Sequence, residues 1–493
     1  MFAFFPYLKT SEPVRFRSII LRATEDSSGL PAAAVSDLEI LRSLFFLRDH
    51  YRIESMSYAF CADDAAESVT SEYIRDLREM RELLAYVYSS PQESFEDPFL
   101  RNEHSSLYIL RPKRFFRSLI DSEHNVAAAL PTEYPEADER SEIAGYECEV
   151  DGRSLTWVTA GSRLYPPAVH LWLNISQDLR WDFERVSGST RYGPIWSFFA
   201  SRRDEPSELY SRLLTALKWY NRSLGADVPA AAALVHLATA FESLLGLEQG
   251  PEITRRFKSA VMLLIGNVPR ADTWLDQFYR ARSEIVHRGE ANALRFNPYH
   301  GMKGVPEEAG SGYRSLLSYG WFIFQICAAA VSSGALMARQ IGLESMLLTN
   351  RQRLERISTV LSSKEPAKAR LAAVAQDVSD IDRFQFVGEP GLTVDLLLGA
   401  AKLLARCYLE AVPDETEMGP ELQALAETKT SDTFAALHSL RLLADKIQAS
   451  SWTAGAAPRA ARSTVATLVH SAWHYTFMTY FHLERKARET PPS

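Results

Sequence analysis

The residues best suited to chemistry lie in one stretch of the chain, from Trp274 to Gly289. On a helix with 3.6 residues per turn, Arg282 falls near the centre of an apolar stripe, and Ser283 and His287 follow its edge one turn apart. A guanidinium within such a stripe needs a partner, because burying an unpaired charge is costly. The spacing therefore predicts that a permanent cation, a hydroxyl and a titratable imidazole meet beside an apolar face. The residues of the predicted stripe are Leu275, Phe278, Tyr279, Ile285 and Val286.

The same residues also have a purely structural interpretation. An arginine can extend from an apolar stripe into water, and a histidine near a helix C-terminus can simply cap the helix. The surrounding charge favours a functional interpretation, since residues 251–295 carry eight Lys or Arg and five Asp or Glu side chains, a balance of +3. The whole chain has a net charge of −8. A local basic patch suits a phosphate backbone, although basic surface is also common where nothing binds.

A second predicted helix, from Ala232 to Leu247, carries an acid beside its own apolar stripe. Glu242 borders that stripe and can pair with Arg282 if the two helices pack together. The alternative is a glutamate that is only solvated. Glu242 is therefore a candidate supporting residue for the arginine.

The segment Tyr279-Arg-Ala-Arg-Ser-Glu-Ile-Val-His-Arg-Gly289 closely resembles the signature of HEPN domains. It resembles in particular the ApeA-like branch, which occurs in bacterial antiphage defence. The upstream segment Leu237-Ala-Thr-Ala-Phe-Glu-Ser-Leu-Leu245 resembles the acidic helix of that family. The resemblance covers about residues 206–340.

HEPN domains generally carry an arginine, a polar residue, three variable residues and then a histidine. Arg282, Ser283 and His287 match this order, with Ser283 in place of the commoner Asn, Asp or His. The resemblance implies RNA cleavage without a metal ion or other cofactor, at a composite site formed by two HEPN copies. In that reaction His287 would transfer protons, Arg282 would stabilise charge on the phosphoryl oxygens, and Ser283 and Glu242 would position them. The candidates for holding flanking phosphates are Arg280, Arg288, Arg255 and Arg256.

Other histidines and aromatic residues favour structural roles. His170 alternates with apolar residues on a predicted strand, which is typical of a structural histidine. His470 and His474 have the i, i+4 spacing of a metal site, but no acid lies within a turn of them, so helix packing is the better interpretation. An aromatic cluster on the same helix could stack on bases, but it favours core or interface packing. This cluster consists of Trp473, Tyr475, Phe477, Tyr480 and Phe481.

Composition limits the class of protein. A chain of 493 residues is expected to form two to four domains. Its longest apolar run, Trp321 to Met337, contains polar residues and predicts a buried helix rather than a membrane span. Four dispersed cysteines without a CxxC pair favour reduced thiols and a cytoplasmic location. A pI of about 5.9 argues against a protein that coats nucleic acid nonspecifically.

Strand and helix patterns predict an α+β protein with three parts. Residues 1–204 form a mixed α/β domain, 205–341 an all-α HEPN bundle, and 342–493 an all-α extension. Predicted helices include Ser36–Arg48, 206–224, 228–248, 251–266, 271–288 and 312–340. Residues Pro131 to Glu142 are predicted as a loop, as are the acids Asp414, Glu415 and Glu417, and Thr453 to Arg462 as a linker.

The sequence thus predicts a cytoplasmic endoribonuclease that acts as an antiphage effector. Its expected partners are RNA, with tRNA as one candidate, a second copy or larger homo-oligomer, and a phage-derived trigger, but no membrane. Residues 1–204 are expected to sense infection or to restrain the site. Two alternatives stay open: a non-catalytic HEPN module that dimerises or binds nucleotide or RNA, and a helical scaffold within a defence or toxin–antitoxin complex.

Overall fold

The structure is a computed structural model in which most of the chain is described. The described residues are 1–47, 51–62, 67–88, 107–116, 142–150, 153–160, 163–165, 171–173, 181–183, 192–201, 207–225, 228–247, 250, 252–266, 268–291, 294–300, 315–334, 347–381, 392–428, 433–450, 452 and 459–489. Contacts divide the chain into two compact units. The first comprises Met1–Ile253 and Phe324–Ala335, and the second comprises Thr254–Ile323 and Leu336–Ser493.

All described strands belong to the first unit. They are β1 (Phe2–Phe5), β2 (Leu8–Lys9), β3 (Val14–Phe16), β4 (Ile19–Ala23), β5 (Phe45–Leu47), β6 (Ser57–Phe60), β7 (Tyr108–Phe116), β8 (Glu142–Val150), β9 (Arg153–Ala160), β10 (Arg163–Tyr165), β11 (Leu171–Leu173) and β12 (Trp181–Asp182). Eight of them form an antiparallel sheet in the order β10-β9-β8-β7-β1-β6-β4-β3. The pairs β5–β11 and β2–β12 are parallel.

The N-terminal strand β1 lies inside this sheet. Phe2 opposes Phe60 on β6 and Leu110 on β7, and all four residues of β1 are buried. Burial at every position is expected for a strand whose two faces are both covered. The opening apolar residues therefore form a core strand.

The described residues of the first unit also form five complete helices. They are α1 (Ala32–Arg42), α2 (Glu67–Tyr88), α3 (Gly193–Ser201), α4 (Glu208–Ser223) and α5 (Ala230–Leu245). Arg17, in the turn between β3 and β4, joins three of them: its guanidinium donates to Asp76 and Glu79 on α2, to the carbonyl of Phe199 on α3 and to Tyr210 on α4. This arginine has a φ of 53°, and its bonds hold the turn in that uncommon conformation.

The remaining helices are α6 (Ile253–Ile265), α7 (Ala271–Arg288), α8 (Leu316–Ser333), α9 (Asn350–Leu361), α10 (Ala367–Ser379), α11 (Val394–Ala411), α12 (Gly419–Glu427), α13 (Thr433–Ala449) and α14 (Arg459–Glu489). In the second unit, the apolar faces of α9 to α14 form one core. It includes Leu354, Leu397, Leu422 and Leu468, which are fully buried. This helical extension thus has a core of its own.

Helix α8 is the one described helix that is long and apolar enough to span a membrane. Its apolar window is 72% buried inside the protein, as in the core helix of a soluble protein. The prediction of a buried helix at Trp321–Met337 is therefore confirmed as far as Ser333, and 335–337 lie outside the described residues.

The α+β class is confirmed, because an N-terminal antiparallel sheet precedes a mostly helical remainder. The predicted helix at 271–288 has the bounds of α7. The prediction of a helix from Ser36 to Arg48 was wrong at its end, because Phe45–Leu47 instead pairs with β11 and buries Phe45. Such pairing with a distant strand overrides local helical spacing.

Two predicted connections are also changed. Helix α14 already begins at Arg459 within the predicted linker, and 453–458 lie outside the described residues. Strand β8 begins at Glu142, the last residue of the predicted loop, whose other residues are not described. His170 is also outside the described residues. The three-domain division at 204/205 and 341/342 stays a prediction.

Candidate active site

Helix α7 carries the predicted catalytic residues, and its end is set by a glycine. Gly289 has a φ of 83°, and its N–H donates to the carbonyl of Ile285 at 2.8 Å. This left-handed conformation costs glycine little because it lacks Cβ, so it ends the helix. His287 and Arg288 therefore lie in the last turn, where positive charge is favoured by the helix dipole.

Helix α6 packs beside α7. The ring of Phe257 lies 6.2 Å from that of Phe278 and 5.1 Å from that of Tyr279, measured between centroids. Lys258 Nζ also forms an ion pair of 2.7 Å with Asp276. These contacts, with the short connection between the helices, make α6 and α7 antiparallel neighbours.

The antiparallel register places the first turn of α6 beside the turn of α7 that carries Arg282. That first turn contributes two of the predicted phosphate-binding residues, the exposed Arg255 and the partly buried Arg256. The N-terminal end of a helix also carries partial positive charge. Sequence-distant basic groups are thus brought to the same part of the unit.

Arg282 lies on the buried side of α7. Its guanidinium carbon is 5.6 Å from the centroid of the Tyr279 ring, and the side chain is partly buried. The apolar stripe is buried as far as Tyr279, but Val286 in the last turn is 50% exposed. The apolar stripe therefore extends beyond the buried part of α7, and Arg282 lies between its buried and its exposed residues.

His287 faces water. It is exposed, and its side chain makes no hydrogen bond or ion pair with any residue that the structure describes. Ser283, one turn earlier, is partly buried. Helical geometry separates the directions of Arg282 and His287 by about 140° around α7. Within one chain, the guanidinium thus belongs to the apolar side of the helix and the imidazole to its outer side.

A second imidazole, which the sequence did not indicate, lies on the same helix face. Gln277 holds the backbone of Asn297 through two hydrogen bonds of 2.7 and 2.8 Å. This bends the chain after α7 back along the helix and places His300 Nε2 2.9 Å from Arg280 Nη1. The Asn-Pro pair at 297–298 is a turn signal, but it does not reveal which helix residue the turn meets.

Arg280 and His287 are seven residues apart and therefore project from the same face of α7. Both are exposed, as are Arg288 and His300. This face thus combines two imidazoles with the guanidinium of Arg280, and Arg288 projects about 100° from His287 around the helix. Nothing in it is covered by the described part of the chain.

Glu242, the predicted supporting acid, lies on α5 in the first unit and is partly buried. Its pairing with Arg282 stays a prediction. Among the described residues, no group of three or more His, Cys, Asp or Glu side chains could hold a metal ion. The four cysteines are free and buried.

Comparison with known proteins gives no relative: no family model, curated protein or solved structure matches the chain. The arrangement of α6, α7 and the returning segment is therefore the structural basis for any function assigned to this site.

Proposed function

We propose that the protein is an endoribonuclease of the HEPN type, which cleaves RNA without a metal ion at a site completed by a second copy of the chain. The observation that carries this proposal is the C-terminal part of α7, where a partly buried Arg282 held over an aromatic ring is followed five residues later by an exposed His287. The resemblance of residues 279–289 to the HEPN signature supplies the reaction.

In this reaction the ribose 2′-oxygen forms a bond to the adjacent phosphorus, and the bond from phosphorus to the 5′-oxygen breaks. A base removes the proton of the 2′-hydroxyl, and an acid gives a proton to the departing 5′-oxygen. The products are a 2′,3′-cyclic phosphate and a 5′-hydroxyl, so no water is consumed. Imidazole suits both proton transfers near neutral pH, and guanidinium stabilises the charged phosphoryl oxygens.

The geometry of the reaction explains the need for two copies. The attacking and departing oxygens lie on opposite sides of phosphorus, so the base and the acid must approach from opposite directions. One α7 offers one His287, whereas two α7 helices related by a twofold axis offer two. The half-exposed Val286 beside His287 gives that contact an apolar component.

The RNA backbone is bound by the basic groups around this turn. Arg280 and Arg288 are exposed on α7, and Arg255 and Arg256 lie on the first turn of the neighbouring helix. Binding through phosphates weakens steeply as salt rises, because condensed counterions are released. Because the proposed reaction uses the ribose 2′-hydroxyl, the substrate class is RNA, with tRNA as a candidate.

The biological role follows from the resemblance alone: a cytoplasmic antiphage effector that stops growth by cutting host RNA. A phage-derived trigger would release the site from restraint by residues 1–204. Infected cells expressing His287→Ala should then release phage, whereas infected wild-type cells should arrest without releasing it. Equal phage release from both strains would contradict this biological role. The enzymatic activity would then still be tested by RNA cleavage with purified protein.

The direct test uses purified full-length protein and total RNA in EDTA. Removing the imidazole in His287→Ala, or the guanidinium in Arg282→Ala, should slow cleavage at least roughly 100-fold. His438→Ala is the matched control, because His438 is also an exposed helical histidine and lies in the C-terminal extension. End-group analysis should find 2′,3′-cyclic phosphates.

Mixing wild-type and His287→Ala chains tests the shared site. If cleavage needs an imidazole from each copy, an equal mixture that exchanges at random retains about one quarter of the activity of an all-wild-type dimer. Half the activity would mean that each chain acts alone. Stable RNA binding without cleavage would instead support the non-catalytic HEPN module.

A further inference from the structure

The first unit contains a cleft that the proposed nuclease site does not use. Its volume is about 840 Å³, and it lies between α2, the strands β7 and β8, and α4. Sites for small molecules commonly have volumes of roughly 300–1,000 Å³. The cleft is therefore the size of a ligand site, and the side chains that line it indicate what kind of ligand fits.

Basic side chains enter the cleft from three elements. Arg75 and Arg78 lie on one face of α2, since they are three residues apart. Arg111 comes from β7, and Lys218 comes from α4. Lys218 is exposed and makes no hydrogen bond or ion pair with the described residues. Cations that converge from separate elements suit a multiply charged anion better than a single carboxylate.

One acid fixes two of these arginines. Glu149 on β8 accepts from Arg78 at 2.6 Å and from Arg111 at 3.3 Å. Burial by itself would raise the pKa of the Glu149 carboxyl group, but the ion pairs with Arg78 and Arg111 outweigh burial and lower this pKa. Each guanidinium carries five N–H donors, so both keep donors for an anion after binding Glu149. The acid thus orients the arginines without using up their capacity.

The other two acids of the cleft wall are bound to groups of their own. Glu79 accepts from Arg17 at 2.7 Å and from Tyr210. Burial and the hydrogen bond to Glu79 raise the pKa of the Tyr210 phenol to about 12. Glu82 accepts from Asn221 at 2.8 Å and pairs with Arg81. With its acids so engaged, the cleft keeps an excess of positive charge.

The floor of the cleft is apolar. Leu107 and Ile109 are buried at the start of β7, and Ile74 and Leu214 are partly buried on the flanking helices. An apolar floor beneath cationic walls suits a ligand with a flat, weakly polar part and a charged part. A free inorganic phosphate would leave this floor uncovered.

We propose that this cleft binds a nucleotide. The phosphates lie against Arg78, Arg111 and Lys218, and the base lies on the floor formed by Leu107 and Ile109. A ligand site in the first unit would let a small molecule act on the part of the chain that precedes the nuclease helices. Nucleotide binding is measured without any RNA, so this test is independent of the test of the cleavage reaction.

The test is calorimetric titration of the full-length protein with ATP, GTP, CTP and UTP, and with adenosine and tripolyphosphate as the separate halves of ATP. At least one nucleotide should bind saturably and more tightly than either half, and added salt should weaken it. Arg78→Gln and Lys218→Gln should each weaken binding at least roughly tenfold, as expected for the loss of a charged hydrogen bond. Arg15→Gln is the control, because Arg15 is an exposed arginine of the same unit outside the cleft.

Arg78 is 59% exposed and Lys218 is also exposed, so neither substitution should unfold the unit, and circular dichroism checks this. The proposal is overturned if none of the four nucleotides binds saturably, or if adenosine or tripolyphosphate binds as tightly as the tightest-binding nucleotide. Equal binding by Arg15→Gln and the two cleft variants would also overturn it. The proposal would also be overturned if the protein bound a single-stranded RNA but no mononucleotide, and the cleft variants lost that RNA binding.

Discussion

In the C-terminal part of α7, Arg282 lies over the ring of Tyr279, and His287, five residues later, faces water. In the C-terminal helices Arg462 also lies over an aromatic ring, that of Trp452, at 5.6 Å. There, however, the surrounding polar groups donate to one buried carboxylate. Their common acceptor is Glu415, whose side chain is only 1% exposed.

Every oxygen of that carboxylate is engaged. Tyr408 Oη donates to it at 2.7 Å and Trp452 Nε1 at 3.1 Å, and Arg462 lies 3.3 Å away. The other oxygen accepts from the backbone N–H groups of Glu417 and Met418. Such a saturated cluster leaves no capacity for a ligand, so its function is to hold α11, α12 and α14 together.

The comparison separates two uses of the same residue types. An arginine on an aromatic ring is structural where its neighbours are satisfied and buried, as around Glu415. Such an arginine can serve binding or catalysis where a titratable group on the same helix is exposed, as His287 is on the helix of Arg282. Four measurements of stability test this distinction.

The largest effect is expected for Glu415→Ala. Removing the carboxylate leaves Arg462 and the Trp452 indole without their acceptor, which should cost about 3 kcal/mol of unfolding free energy. Glu410→Ala is the matched control, because Glu410 pairs with Arg370 at the surface with 61% of its side chain exposed. Urea unfolding should show a loss below about 1 kcal/mol for the control. Equal losses for both would mean that the cluster is not a structural centre.

Acid should weaken the same cluster. Burial opposes ionisation of Glu415, but the hydrogen bonds from Tyr408, Trp452 and the backbone prevail and lower the pKa of its carboxyl group. The unfolded chain then binds the proton more tightly than the folded one. The stabilisation is therefore complete above about pH 4.5 and is lost as the pH falls through the lowered pKa. Unfolding curves of wild type and Glu415→Gln should accordingly converge on acidification, and a constant gap would contradict this assignment.

A smaller effect is expected for Gly289→Ala at the end of α7. An added Cβ meets no atom within 4 Å, so only the left-handed backbone opposes it, at about 1 kcal/mol. Gly399→Ala within α11 also meets open space, but its backbone is helical, so it should stabilise by about 0.5–1 kcal/mol. Thermal unfolding measures both, and the same sign for both variants would argue against the glycine stop of α7.

The smallest effect on stability is expected for His287→Ala, although it should have the largest effect on cleavage. Its exposed imidazole has no partner among the described residues, so the unfolding free energy should change by less than about 0.5 kcal/mol. A loss comparable to that of Glu415→Ala would show that His287 is a structural residue after all.

Several features could be predicted from local sequence. The bounds of α7, the α+β class and the place of Arg282 within an apolar stripe follow from periodicity, glycine placement and strand-forming composition. The end of α1 was wrong because β5 pairs with β11, whose residues lie more than a hundred positions later in the chain. Local spacing contains no information about such a partner.

Local sequence is enough to predict which residues share a turn of α7, because helical neighbours are only three or four positions apart. The tertiary structure decided which of those residues are covered: Tyr279 is buried, whereas Val286 and His287 are exposed. It also decided that His300 returns to Arg280, and that Arg78, Arg111 and Lys218 line one cleft. Burial and convergence depend on packing between segments far apart in the chain, and that packing is fixed only when the whole core forms.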